Sequence, residues 1–206
     1  MKQLKTKITD HVIQSFNHEV GLMSDIKNPY CLLFIGACIK YPHLCIITEY
    51  VPKGSLRDYL DRNTLIWQVL LKFAITTARG MAWLHSRKPA VLHRDMHSNN
   101  ILVSESLDCK VADFGLSQIQ GSKLYESKTM YKRIIPPEIF KGELYTKKSD
   151  VYMYGLILYE LLTGKKADAK TSKAIHMLHQ EFSFSKEAGR GMISVNYIPN
   201  SYSCIH

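Results

Sequence analysis

The chain has 206 residues, 46% of them hydrophobic and 22% charged, which suits one domain, or one and a piece, with a real core. Its seven Pro and eleven Gly exclude a collagen-like, linker-dominated or disordered chain. A formal charge of +9, from 27 basic and 18 acidic residues, raises the question of an anionic partner.

Between Asp10 and Ile26, apolar residues at Ile13, Phe16, Val20 and Met23 are spaced to predict a helix, which Asn28-Pro29 stops. Residues 31–39 and 43–51 are rich in β-branched and large apolar side chains and flank Lys40-Tyr41-Pro42, predicting an antiparallel hairpin. Ser55 is placed to cap a short helix ending near Asp61. A long helix is predicted from Leu65 to Ser86, its apolar face formed by Trp67, Leu70, Leu71, Ala74, Ala78, Met81, Trp83 and Leu84. Strand-like pieces follow at 90–93, 100–104 and 109–113. Residues 115–135 are polar and predict a long irregular loop, usually a functional feature in a small domain. Ser149–Leu162 reads as a helix apolar nearly all round, and therefore buried. Beyond Gly164 the periodicity weakens, and 186–206 has the composition of a loose tail.

Five cysteines, at positions 31, 38, 45, 109 and 204, form no CxxC pair and lack clustered His or Asp, so reduced thiols and no metal site are expected there. Residues 1–9 lack the apolar run of a targeting peptide. The longest apolar stretch, Val151–Leu162, is interrupted by Glu160 and is too short to span a bilayer. A cytoplasmic protein without a membrane segment is the expectation. Lysines spread over termini and turns, with no stripe of interleaved aromatics, argue against a nucleic-acid partner.

The chemistry concentrates in His93-Arg94-Asp95-Met96-His97-Ser98-Asn99-Asn100 and in Asp113-Phe114-Gly115. Two Asn, two His, an Arg and an Asp together between apolar runs exceed what a core-edge turn needs. Asn100 stands five residues after Asp95, and Asp113 eighteen. With Pro136-Pro137-Glu138, these residues resemble the H-R-D-L-x-x-x-N, D-F-G and A-P-E motifs of eukaryotic protein kinases. The resemblance extends through GACIKYPHLCIITEYVPKGSL, GMAWLHSRKPAVLHRD, KVADFGLS and KKSDVYMYGLILYELLTGK, covering about residues 1–167. The LFIGAC phrase with its hairpin and ITEY is most similar to the tyrosine-kinase-like group, whose members mostly phosphorylate Ser and Thr.

The resemblance implies an α+β, two-lobed kinase-like fold, with an incomplete N-terminal β lobe and a mainly helical C-terminal lobe. It implies transfer of the ATP γ-phosphate to a protein substrate, with Mg²⁺ as the metal. Asp95 would take the hydroxyl proton and orient its oxygen, while Asn100 and Asp113 would hold the metal. Leu102 would form the floor under the adenine, backbone groups of Glu49 and Val51 would bind its edge, and Thr48 would stand at the back of the pocket. Lys2 would grip the α- and β-phosphates and pair with Glu19; the plainer alternative is a surface lysine and an ordinary helix charge. Arg94 would order a phosphorylated residue in the 115–135 segment, where Ser117, Ser122, Tyr125, Ser127, Thr129 and Tyr131 offer hydroxyls. Met23, His93 and Phe114 would stack into an apolar spine, and Asp150 would anchor the catalytic-loop backbone.

The sequence also departs from the family pattern. No Gly-rich strand pair precedes Met1, so the expectation is a sheet of about three strands, weaker nucleotide affinity and slow turnover. Residues after Asp168 do not follow the later helices, and Glu138 has no evident Arg partner other than Arg190, predicting a less stable lower lobe. Pro136 replaces an Ala, Met130-Tyr131 replaces a Gly-Thr, and His97 replaces the Lys usual in Ser/Thr kinases. The expected division is a partial kinase domain at 1–167, with an N-lobe remnant at 1–51 and a C-lobe at 52–167, and a divergent tail at 168–206. The alternative is a catalytically impaired kinase-like binding module that docks a partner kinase.

Overall fold

The computed structural model describes residues 2–3, 10–40, 43–115, 117–119 and 134–168. The described elements belong to one unit, Met1–Asp168, and a second unit comprises Ala169–His206. The first unit opens with β1 (Lys2–Gln3), α1 (Asp10–Asp25), β2 (Phe34–Cys38) and β3 (Cys45–Thr48). These strands make an antiparallel sheet in the order β1-β3-β2, with Lys2 opposite Ile46 and Cys38 opposite Cys45. Helix α1 turns Phe16, Glu19, Leu22 and Met23 inward, and Ile26 just beyond its end is buried too. A carboxylate thus occupies one place in an otherwise apolar stripe.

The expected hairpin exists, but its strands are shorter than 31–39 and 43–51. The backbone at 30–32 is committed elsewhere. Leu32 N–H donates to the Val111 carbonyl at 2.8 Å, and Val111 N–H donates to Tyr30 at 2.8 Å. At the far end, Glu49 N–H donates to Leu33 O at 3.0 Å, and the Glu49 carboxylate accepts the Leu33 N–H at 2.8 Å.

The helical part begins with α2 (Leu56–Arg62), capped by Ser55, whose Oγ accepts the Asp58 N–H at 3.1 Å. Then come α3 (Trp67–Ser86), β4 (Val91–Leu92), β5 (Ile101–Val103), β6 (Cys109–Val111), β7 (Gln118–Ile119), α4 (Pro137–Phe140) and α5 (Lys147–Thr163). Strands β5 and β6 pair with Leu102 opposite Lys110, and β4 pairs with β7. Strand β7 corrects the expectation of irregular chain throughout 115–135.

The buried face of α3 also differs from the expected one. Phe73, Thr76, Thr77, Gly80, Met81 and Leu84 are inside, whereas Trp67 is 60% exposed and Leu71 44%. Small and hydroxyl-bearing residues serve the close approach of the β5–β6 hairpin. The Thr76 hydroxyl satisfies the Cys109 N–H at 2.9 Å, and a Cβ on Gly80 would lie 2.6 Å from the Tyr30 carbonyl oxygen.

Helix α5 starts two residues before Ser149, because Thr146 and Ser149 form a capping box, and it ends at Gly164 in the left-handed region. It is not buried all round: Met153, Leu156, Ile157 and Leu161 face inward, while Val151 and Leu162 are exposed. Arg57 fastens α2 to α5 through Glu160 at 3.1 Å and the Gly164 carbonyl at 2.8 Å, and also holds Asp61 at 2.7 Å. A small sheet with one helix, joined to a larger helical part, is the two-lobed α+β arrangement expected. Among the described residues, no helix is long and apolar enough to cross a membrane.

Candidate active site

The site is organised by a carboxylate on α5. Asp150 is fully buried and sits in the first turn of the helix rather than capping it. It accepts the backbone N–H groups of His93 at 2.9 Å and Arg94 at 3.0 Å, and the Tyr145 hydroxyl at 2.6 Å. His85 Nε2 lies 2.8 Å from its Oδ2. Burial alone would raise the Asp150 pKa; the bonds from His85, Tyr145 and the Arg94 N–H together hold it below the ordinary carboxylate range. The two backbone bonds fix the chain where Arg94 takes a φ of 67°, a left-handed conformation for a non-glycine residue. His85 and Tyr145 were not singled out by the sequence. Each is one polar residue beside a helix end, a signal too common to select.

The loop beyond this anchor brings Asp95 and Asn100 together. Asn100 Nδ2 donates to the Asp95 carbonyl at 2.8 Å and to its carboxylate Oδ2 at 3.0 Å. His97 Nε2 stands 3.5 Å from the other oxygen, Oδ1. Both Asp95 and Asn100 are about nine-tenths buried. With its amide N–H groups spent on Asp95, Asn100 presents its carbonyl oxygen elsewhere, a hard donor of the kind Mg²⁺ takes. The Arg94 guanidinium lies over the Tyr145 ring, 5.7 Å from its centroid.

Asp113 is tied to this loop through the preceding residue, whose N–H donates to the Asn100 carbonyl at 2.9 Å. Asp113 itself has a φ of 62°, and Gly115 N–H reaches its Oδ1 at 3.4 Å. Its carboxylate is exposed, and supplies a second hard oxygen donor. Phe114 is fully buried against His93, with ring centroids 5.4 Å apart, and Met23 is buried as well. His93 Nε2 contacts the Ala112 carbonyl at 3.0 Å, and burial lowers the His93 pKa, favouring the neutral ring.

Glu19 reaches the same turn: its Oε2 lies 3.4 Å from where a Cβ on Gly115 would stand, an ordinary contact distance. The adjacent residue on α1, His18, places its Nε2 2.9 Å from the Ser117 carbonyl. Lys2 is placed in β1 opposite Ile46; its side chain, and so its pairing with Glu19, lies outside the described residues.

Leu102 packs against Leu32, Val51 and Ala112 in an apolar cluster beside residues 48–51. The Thr48 hydroxyl donates to the Glu49 carbonyl at 3.2 Å. The Val51 N–H has no partner among the described residues, so this strip presents an unused donor beside an apolar floor. Lys110, missed by the sequence reading, pairs with the Glu49 carboxylate at 2.8 Å and steadies the strip.

Two expectations are corrected here. Ser117 is buried and donates to the His93 carbonyl at 3.1 Å, which removes it as an accessible phosphoacceptor. Glu138 is only partly buried and accepts the Ser149 hydroxyl, so it is not the unpaired buried carboxylate that predicted a weak lower lobe. Ser122, Tyr125, Ser127, Thr129, Met130, Tyr131 and Arg190 lie outside the described residues.

The family model of protein tyrosine and serine/threonine kinases matches residues 1–190. The chain is 40% identical over 158 residues to the probable serine/threonine-protein kinase drkA of Dictyostelium discoideum, covering 76% of this chain and 25% of that protein. It is 38% identical over 169 residues to the serine/threonine-protein kinase STY46 of Arabidopsis thaliana, covering 80% and 29%. The dual specificity protein kinase splA of Dictyostelium discoideum is 38% identical over an alignment of 205 residues, covering 87% and 8%. The chain belongs to the protein tyrosine and serine/threonine kinase family. It spans less than a third of the length of these relatives.

Proposed function

We propose that the chain carries the catalytic centre of an ATP-dependent protein kinase of the tyrosine-kinase-like group, acting on Ser and Thr hydroxyls. The observation that carries this reading is Asp95 held by Asn100 on a loop whose backbone Asp150 fixes, beside the exposed Asp113. In the reaction, the substrate hydroxyl oxygen bonds to the γ-phosphorus, the bond to the bridging oxygen of ADP breaks, and Asp95 takes the hydroxyl proton. Mg²⁺ bound through Asn100 and Asp113 would neutralise charge on the phosphates. Leu102 would floor the adenine, and the Val51 N–H with the Glu49 carbonyl would hydrogen-bond its edge behind Thr48. Lys2 and Glu19 would position the α- and β-phosphates. Arg94 would receive a phosphorylated residue of the segment after Gly115.

Ser/Thr specificity is supported by the names of drkA and STY46, and the dual specificity of splA makes phosphoamino-acid analysis the direct test. A cytoplasmic setting is proposed on the strength of the four cysteines among the described residues, all free thiols. The main experiment measures ATP- and Mg²⁺-dependent phosphate transfer to a generic protein acceptor by this chain. Replacement of Asp95 by Asn should lower the rate by about 100-fold or more, the usual contribution of a positioned base. Equal transfer by Asp95→Asn and the unaltered chain would refute the assignment.

A further inference from the structure

Cys38 and Cys45 are far from the catalytic residues in sequence, and the proposed reaction uses neither. They are directly opposed in the β2–β3 ladder. Opposed residues of antiparallel strands point to the same face, with Cα atoms about 4.5 or about 5.5 Å apart according to the hydrogen-bonding pattern. Either spacing falls within the range of about 4.4–6.8 Å that a disulfide spans. Both thiols are free and partly exposed, so an oxidant can reach them. Cys31 and Cys109 are buried, and burial pushes both thiols up to about 12.

We infer that Cys38 and Cys45 form a peroxide-responsive dithiol that closes reversibly to a cross-strand disulfide. One thiol, as thiolate, attacks hydrogen peroxide and becomes a sulfenic acid while water leaves. The second thiol attacks that sulfur, the S–S bond forms, and the sulfenic oxygen leaves as a second water. Both sulfurs are oxidised and the peroxide oxygens are reduced, so the step needs no further reactant. The bridge would join β2 to β3 four residues before Glu49, on the strand that runs into the proposed adenine-edge strip.

The test treats the reduced full chain with hydrogen peroxide, blocks remaining thiols with N-ethylmaleimide, and maps non-reduced tryptic peptides by mass spectrometry. Cleavage after Lys27, Lys40 and Lys53 separates the two cysteines, so a 38–45 bridge joins peptides 28–40 and 41–53. Because the first peptide also contains Cys31, the map is repeated on Cys31→Ser, which should retain the link. Cys38→Ser and Cys45→Ser should each abolish it, and dithiothreitol should reverse it in the unaltered chain. Full alkylation of both residues after peroxide would overturn the inference. So would linkage of either to Cys204, or a bridge between two molecules.

Discussion

If Asp150 fixes the catalytic loop, removing its carboxylate should cost more than one lost contact. Asp150→Ala orphans two backbone N–H groups, on His93 and Arg94, and strips His85 and Tyr145 of a partner. An unsatisfied buried donor costs about 1–3 kcal/mol. His85 keeps some contact with solvent and can turn toward water, whereas the His93 N–H belongs to a fully buried residue. The sum expected is about 3–5 kcal/mol, in line with breaking a buried charged network. Asp150→Asn keeps one acceptor oxygen and should cost less, about 1–3 kcal/mol. Urea unfolding followed by circular dichroism reads the difference. With an m-value of about 2 kcal/mol/M, a loss of about 4 kcal/mol moves the midpoint by about 2 M. Hydrogen exchange at the His93 and Arg94 amides supplies the local readout, and both should lose protection in the alanine variant. A midpoint shift below about 0.5 M at unchanged m-value, with both amides still protected, would refute the anchoring argument.

Gly80→Ala should destabilise by about 1–3 kcal/mol, since the new Cβ would stand 2.6 Å from a backbone oxygen; Gly21→Ala, open within 4 Å, should stabilise by about 0.5–1 kcal/mol. Paired thermal melts check the contrast, and a Gly80→Ala protein as stable as the parent would show that the α3–β6 approach is looser than described. Arg57→Ala leaves Glu160 buried beside the Ala167 N–H and should cost about 3–5 kcal/mol, while Arg57→Met with Glu160→Leu should cost clearly less than the sum of the single changes. A double-mutant cycle in urea measures this coupling, and additive losses would count against it. Stability should fall as pH drops below the ordinary histidine value of about 6.5, because the unfolded chain then protonates His93 while the buried ring resists. The slope from this group is about 1.4 kcal/mol per pH unit until the depressed native pKa is reached, and Asp150 adds a loss of the same sign below about pH 4. Unfolding midpoints at several pH values test the sign, and constant stability between pH 6.5 and pH 5 would contradict it.

The residues proposed to do chemistry were legible because their types are costly elsewhere. An Asp, an Asn and a second Asp at fixed spacings between apolar strands have few other uses, and the structure brings Asp95 and Asn100 into contact. What supports them was harder to read. The buried face of α3 runs through Thr76, Thr77 and Gly80, which a search for large apolar residues passes over, while Trp67 and Leu71 on the same helix are exposed. The boundary of β2 depends on Val111, some eighty residues away, capturing the backbone at 30–32; no local pattern reports that pairing. Strand β7 is two residues long and owes its conformation to β4, so its own composition carries no signal. The partners of Asp150 come from three separate stretches of chain, visible together only after folding.

Two residues of the site sit where glycine would be relaxed. Arg94 and Asp113 have φ angles of 67° and 62°, a region that costs a non-glycine residue about 1–3 kcal/mol and glycine almost nothing. The surrounding bonds hold each in place: Asp150 captures the N–H groups of His93 and Arg94, and the Asn100 carbonyl captures the N–H just before Asp113. The chain nevertheless carries a guanidinium at one position and a carboxylate at the other. Glycine at either would relax the backbone and sacrifice the side chain, so these two groups offset a cost that conformation alone does not require. Their retention is the pattern expected when local strain serves a site, and it places the cost on the two residues flanking Asp95 and Phe114, with α5 supplying the restraint for the first.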